Sequence, residues 1–174
     1  TRRCARCRSA PTAGSPNYVQ NRTTQQGAAN FNISGTGTAN ILSAASQFNI
    51  GGSRVLSSPG TLNTFVGINN GAAITSGERN TFVGRNTGVN TTTGSTNTFV
   101  GSGAGFENIT GSQNSFFGYN AGLRVTSGAR NSFFGVSAGS GNLIGNDNAL
   151  FGFESGLFTT GGENSFFGTS AGRS

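Results

Sequence analysis

Apolar and polar positions recur in one frame over the last two-thirds of the chain. The frame is Asn-[Thr/Ser/Ala]-[Phe/Leu]-[Val/Phe]-Gly-x-x-x-Gly-x5-Gly-x-x, and it starts at Asn63, Asn80, Asn97, Asn114, Asn131, Asn148 and Asn164. The interval is 17 residues, except for a last one of 16. Repeats of this length point to a solenoid, in which a unit buries its apolar side only by stacking on the next. The pattern predicts two short extended pieces per unit. The first is Asn-Thr-Phe-Val-Gly or its kin, β-branched and aromatic and closed by glycine. The second is more variable: Ala72–Thr75, Val89–Thr92 and Leu123–Thr126. Glycines at 71, 88, 105, 122, 139, 156 and 172 mark one turn, and those at 77, 94, 111, 128, 145 and 161 another. The shortened interval loses its residue between Gly156 and Gly161, inside the variable piece. No segment carries a sustained 3.6-residue period. The expectation is an all-β chain: a parallel β-roll or β-solenoid of about seven 17-residue coils over residues 63–174. At roughly 4.8 Å per coil it would stand about 30 Å tall. An antiparallel sandwich is the alternative, but it would not need such strict register.

Adjacent strand residues face opposite sides, and here two adjacent columns are apolar. The third position holds Phe65, Phe82, Phe99, Phe116, Phe133, Leu150 and Phe166, the expected coil interior. The fourth holds Val66, Val83, Val100, Phe117, Phe134, Phe151 and Phe167, which must then point outward. A bare stripe of this kind is adhesive, so these seven residues form the expected oligomer interface. Closed rings are favoured over open contacts, and three chains around an axis fit. A wide single coil enclosing both columns is the other solution. Open ladder edges also allow coils to stack end to end into a filament.

The Asn column is read as structural, a ladder of side-chain amides running up the stack. The hydroxyl column beside it, Thr64, Thr81, Thr98, Ser115, Ser132 and Ser165, is interrupted by Ala149. Such ladders are routine in sheets, although a regular hydroxyl array also admits an ice-binding reading.

Before the regular body, residues 31–62 look like a degenerate lead-in or capping segment. Phe31 and Phe48 already hold the aromatic phase, each 17 residues ahead of the next, and Pro59-Gly60 marks a turn into the body. Residues 1–30 form a polar, Arg-rich tail or linker. The formal charge of +6 resides largely there, because Arg2, Arg3, Arg6 and Arg8 lie in the first eight residues. From residue 61 onward, five Arg balance five acids, so the repeat body is neutral. A nucleic-acid footprint would need a basic stripe along that body; no nucleic-acid partner is expected. Cys4 and Cys7 form a Cys-x-x-Cys pair, but with no His and no other Cys they cannot complete a four-ligand zinc site. They are read as inert, with cross-linking between chains as the alternative. No apolar run is long enough for a transmembrane span.

Sites of chemistry are scarce. Without His, neither a Ser-His-Asp nor a Cys-His nucleophile system can be assembled. Glu78, Glu107, Asp147, Glu154 and Glu163 fall at different repeat positions, which leaves a carboxylate pair conceivable only between subunits. Gly101-Ser102-Gly103-Ala104-Gly105 mimics a phosphate loop but lacks the following Lys, so turn glycine is the better reading. No catalytic residue, metal ligand or cofactor site is expected, and the chain is read as no enzyme.

The units Asn114–Gly122 and Asn131–Gly139 (NSFFGYNAG and NSFFGVSAG) resemble the head repeats of YadA-type trimeric autotransporter adhesins. They are also similar to repeats in bacterial and phage tail-fibre-like proteins. The resemblance covers residues 63–174 and implies a left-handed parallel β-roll, assembled as a homotrimer outside the cell. It differs in that the adhesin repeat is shorter and carries small aliphatics where this chain has Phe. The implied function is a non-enzymatic extracellular structural or adhesive module, the head or shaft of a fibrous surface protein or tail fibre. The expected partners are other copies of the chain, in the homotrimer that the resemblance implies or in the filament that open ladder edges allow, and a host or matrix surface.

Overall fold

The computed structural model describes residues 47–50, 53–57, 62–142 and 144–173. The basic tail, Cys4 and Cys7, and the lead-in up to residue 46 lie outside these residues. Among the described residues every regular element is a strand, and nine of them form one sheet in sequence order. The first two are β1 (Gln47–Ile50) and β2 (Ser53–Ser57). Then come β3 (Thr64–Val66), β4 (Thr81–Val83), β5 (Thr98–Val100), β6 (Ser115–Phe117), β7 (Ser132–Phe134), β8 (Ala149–Phe151) and β9 (Ser165–Phe167). Strands β3 to β9 pair in parallel, each residue beside its equivalent one repeat on. Strands β3 to β9 and the turns between them form a parallel β-solenoid.

Each coil contributes one three-residue strand, not two. The predicted second pieces, Ala72–Thr75, Val89–Thr92 and Leu123–Thr126, are turns and bends. In each, the twelfth-position amide turns back onto the ninth-position glycine of its own coil. Thr91 N–H donates to Gly88 O at 3.1 Å, and Val125 N–H to Gly122 O at 3.1 Å. That local bond curls the backbone out of a strand. Its neighbours still reach the next coil: Ala73 N–H donates to Val89 O at 2.9 Å and Ile109 N–H to Thr126 O at 2.8 Å. Inter-coil hydrogen bonding therefore continues around the section, as buried amides require.

Phe65, Phe82, Phe99, Phe116, Phe133 and Leu150 are fully buried at the third position. Phe166, in the last coil, is only partly so. The rings of Phe65 to Phe133 form one stack, with centroids 4.7–4.9 Å apart and planes within 11°. The ring spacing matches the rise between parallel strands, so one repeat geometry serves backbone and side chain together. Burying each large ring is worth about 1.5–3 kcal/mol. The ninth-position glycine makes room, since a Cβ at Gly105 would strike the Phe99 ring.

At the first coil the ladder changes direction. Strand β2 pairs antiparallel with β3, with Leu56 beside Val66 and Ser57 beside Phe65. Strand β1 pairs antiparallel with β2 through a register shift between Phe48 and Asn49. The β3 edge is thus occupied by a strand of opposite sense.

Candidate functional site

Strand alternation fixes the outward face. With the third position buried, the second and fourth point away from the core, and the burial patterns of β3 to β8 follow that order. Val66 and Phe167 are exposed, at 41% and 69%. Val83, Val100, Phe117, Phe134 and Phe151 are half-buried, screened by their own neighbours in the column. A wide coil enclosing both columns is not what forms. Phe117, Phe134, Phe151 and Phe167 make a second ring stack outside the coil, with centroids 4.7–4.9 Å apart and planes within 6°. Ring faces are spent on one another, so the stack presents edges. Such a ridge offers apolar contact but few free faces on which a sugar ring or a base could lie.

Two further features widen the face. Leu56 of β2 continues the stripe beyond Val66, and it is exposed. Past the fifth-position glycine a sixth-position column is also turned outward, with Ile68, Tyr119, Val136 and Phe153 all exposed. Sequence reasoning missed this column because Arg85, Ser102 and Thr169 interrupt it. Its apolar members are Ile68 in the first coil and the run Tyr119, Val136 and Phe153. Beside the stripe run Thr64, Thr81, Thr98, Ser115, Ser132, Ala149 and Ser165, each partly or fully exposed.

The Asn column lies inside. Asn63, Asn80, Asn97, Asn114, Asn131 and Asn148 are buried, and Asn164 is partly buried. Each Oδ1 from Asn63 to Asn148 accepts the backbone N–H of the next Asn, at 2.8–3.0 Å. In the first five, Nδ2 donates across the coil to the fifteenth-position glycine carbonyl, as from Asn114 to Gly128 O at 2.7 Å. Amide-to-amide bonds appear only from Asn131 onward, for example Asn148 Nδ2 to Asn131 Oδ1 at 3.0 Å. The expected side-chain ladder is therefore mainly a bridge from side chain to backbone. A short side chain with both a donor and an acceptor is needed there, and among uncharged residues Asn supplies it.

From residue 62 onward, charge is confined to the turns, bends and loops outside the strands. Arg130 grips Asp147 of the next coil with two bonds, Nε to Oδ1 at 2.6 Å and a guanidinium NH2 to Oδ2 at 2.7 Å. The hydrogen bond to Asp147, helped by its charge, raises the Arg130 pKa, and the bond from Arg130 holds the Asp147 carboxyl below its ordinary value. Arg79 meets Glu78 at 3.4 Å, and Arg173 meets Glu154 at 3.2 Å. The acids were expected at different repeat positions, but the structure places Asp147 and Glu163 at equivalent ones. Both donate their backbone N–H to the preceding coil in the same way, Asp147 to Ala129 O and Glu163 to Asn146 O. The missing residue of the short coil hid this equivalence. It also leaves an open recess of about 370 Å³ beside Ile144, Asp147, Thr160 and Glu163. Among the described residues no three His, Cys, Asp or Glu side chains gather as a metal site, and no helix is long and apolar enough to cross a membrane.

No protein-family model, curated protein or solved structure matches the chain.

Proposed function

We propose that the chain is a non-enzymatic extracellular structural or adhesive module, a stiff rod in the head or shaft of a fibrous surface protein or tail fibre. The observation that carries this reading is the apolar face along an in-register solenoid whose coils are hydrogen-bonded to one another. An in-register stack with two aromatic ladders favours rigidity, and an apolar stripe along it favours lateral contact with other copies. The homotrimer implied by the likeness to adhesin heads is one way to cover that stripe, and host or matrix surfaces are the remaining partners in this reading. A filament built coil on coil is the second reading. The antiparallel β2 on the β3 edge weighs against it, because parallel coils cannot continue directly past that strand. Electron microscopy of the purified full chain separates the two. Short discrete particles are expected, and continuous fibres would favour the filament. An ice-binding role rests on the hydroxyl column beside Val66, Val83 and Val100, and a thermal-hysteresis measurement tests it.

A further inference from the structure

We propose that two copies of the chain pair face to face through the outward stripe, with their solenoid axes antiparallel. This rests on the self-association reading above and adds a partner orientation and a contact register.

The first support is bulk. From β2 to β9 the stripe reads Leu56, Val66, Val83 and Val100, then Phe117, Phe134, Phe151 and Phe167. Four slim rows are followed by four thick ones. Two parallel copies, or three about a common axis, would set Phe rows against Phe rows at one end and Val against Val at the other. The contact would be a wedge that gapes along half its length. Close packing penalises such voids, because an unfilled gap forfeits dispersion contacts on both sides. An isologous pair whose dyad lies between the Val100 and Phe117 rows removes the wedge. Each residue i then meets j, and j meets i: Phe117 faces Val100, Phe134 faces Val83, Phe151 faces Val66 and Phe167 faces Leu56. With the dyad along the strand direction the sixth-position column obeys the same register. Tyr119 then faces Ser102 and Phe153 faces Ile68, large against smaller, while Val136 faces Arg85.

The second support is area. Tyr119, Phe153 and Phe167 are 56%, 50% and 69% exposed. Aromatic side chains carry 150–250 Å² each, so these three offer on the order of 100 Å² apiece. With the half-buried rows, the stripe reaches on the order of 700 Å² per copy, near the ~800 Å² per partner of a standard interface. The third support is ring geometry. Stacked rings that present only edges fit between aliphatic side chains of an opposing sheet better than they fit a flat aromatic or sugar ligand.

Pulsed dipolar electron paramagnetic resonance on the full chain tests the proposal. Cys4→Ser and Cys7→Ser supply the background, and one nitroxide is placed at Thr64→Cys, Ser115→Cys or Ser165→Cys. All three positions are small residues at the margin of the stripe. At about 4.8 Å per row, the antiparallel register separates like labels along the axis by about 24 Å at position 64, 5 Å at 115 and 34 Å at 165. Mixing chains labelled at Thr64→Cys and Ala149→Cys should give a short distance, because those rows face each other. Equal short distances at 64, 115 and 165 would overturn the antiparallel pair in favour of a parallel pair or trimer. If no site shows coupling and the unlabelled chain sediments as a monomer, the self-association reading itself fails. Unchanged circular dichroism in each variant excludes misfolding as the cause.

Discussion

Asn114 reaches two backbone positions from one side chain, and its own backbone is held by the Asn one coil before it. Its Oδ1 accepts the Asn131 amide at 3.0 Å, its Nδ2 donates to Gly128 O at 2.7 Å, and its own N–H donates to Asn97 Oδ1 at 2.9 Å. Asn114→Ala would leave a buried N–H and a buried carbonyl without those partners. Each orphan costs about 1–3 kcal/mol, so a loss of about 2–5 kcal/mol is expected in urea denaturation. A loss under about 1 kcal/mol would mean that water replaces the amide. Thr96 makes the opposite case. It is exposed, yet its φ is 60°, a left-handed conformation that a β-branched residue resists. Arg79, Gln113, Arg130, Asp147 and Glu163 share this conformation in the other coils. The penalty is roughly 1–2 kcal/mol, and Asn tolerates the region better. Thr96→Asn should therefore stabilise the fold by about 0.5–1 kcal/mol, read as a higher denaturation midpoint with unchanged slope. No glycine marks this column in the sequence, so periodicity alone gave no hint of its strain.

At the scale of one coil, glycine serves two separate ends. Gly71, Gly88 and Gly105 take a positive φ, whereas the column of Gly77, Gly94, Gly111, Gly128 and Gly145 does not. There the demand is steric, since a Cβ at Gly128 would run into the carbonyl oxygen of Gly145 one coil on. Gly161 holds the same place in the short coil, but its Cβ would find only Asn164 Nδ2, at 3.8 Å. This yields a matched pair. Gly128→Ala should cost about 3 kcal/mol through forced separation of two coils, while Gly161→Ala should stay within about 0.5 kcal/mol. Thermal melts of the two variants, side by side, give the comparison, and equal effects would show that stacking distance is not the constraint. The period, the strand at the first piece and the inward third position were all legible, because each repeats in every unit. The second piece was not. Its β-branched residues suggest a strand, but the amide bond back to the ninth-position glycine bends it away. The sixth-position stripe and the alignment of Asp147 with Glu163 were hidden for a related reason: one column is mixed in composition, and the other is displaced by a missing residue.

For the whole molecule, the column that holds the fold and the column proposed for assembly are different, and variants can separate them. Acidity should disturb neither within the ordinary range. The chain has no His, and Asp147 is the carboxyl whose pKa is lowered, by its hydrogen bond to Arg130. A lowered folded-state pKa contributes stability above the unfolded carboxylate value of about 3.9, and that contribution is lost only as pH falls through the lower folded value. The melting temperature should thus be flat from about pH 5 to 8, and a clear slope there would require another titrating group. Assembly should instead respond to the outward stripe. Phe134 sits between Phe117 and Phe151 at 4.7 and 4.8 Å, and it is half-buried in a single chain. In Phe134→Asp a carboxylate would stand where a partner's side chains should close over the ring. Burying an unpaired charge typically costs about 3–5 kcal/mol, which weakens association by roughly 100-fold or more. Within one chain that carboxylate remains partly hydrated, so the coil should survive with a modest loss from the broken ring stack. Phe116→Ala removes a fully buried ring instead and should cost about 3–5 kcal/mol of folding stability. Sedimentation velocity paired with thermal melts distinguishes the two. Phe134→Asp is expected to yield folded monomers, and Phe116→Ala a less stable chain that still associates once folded. If Phe134→Asp sediments like the parent chain at micromolar concentration, the outward aromatic stack is not the contact surface.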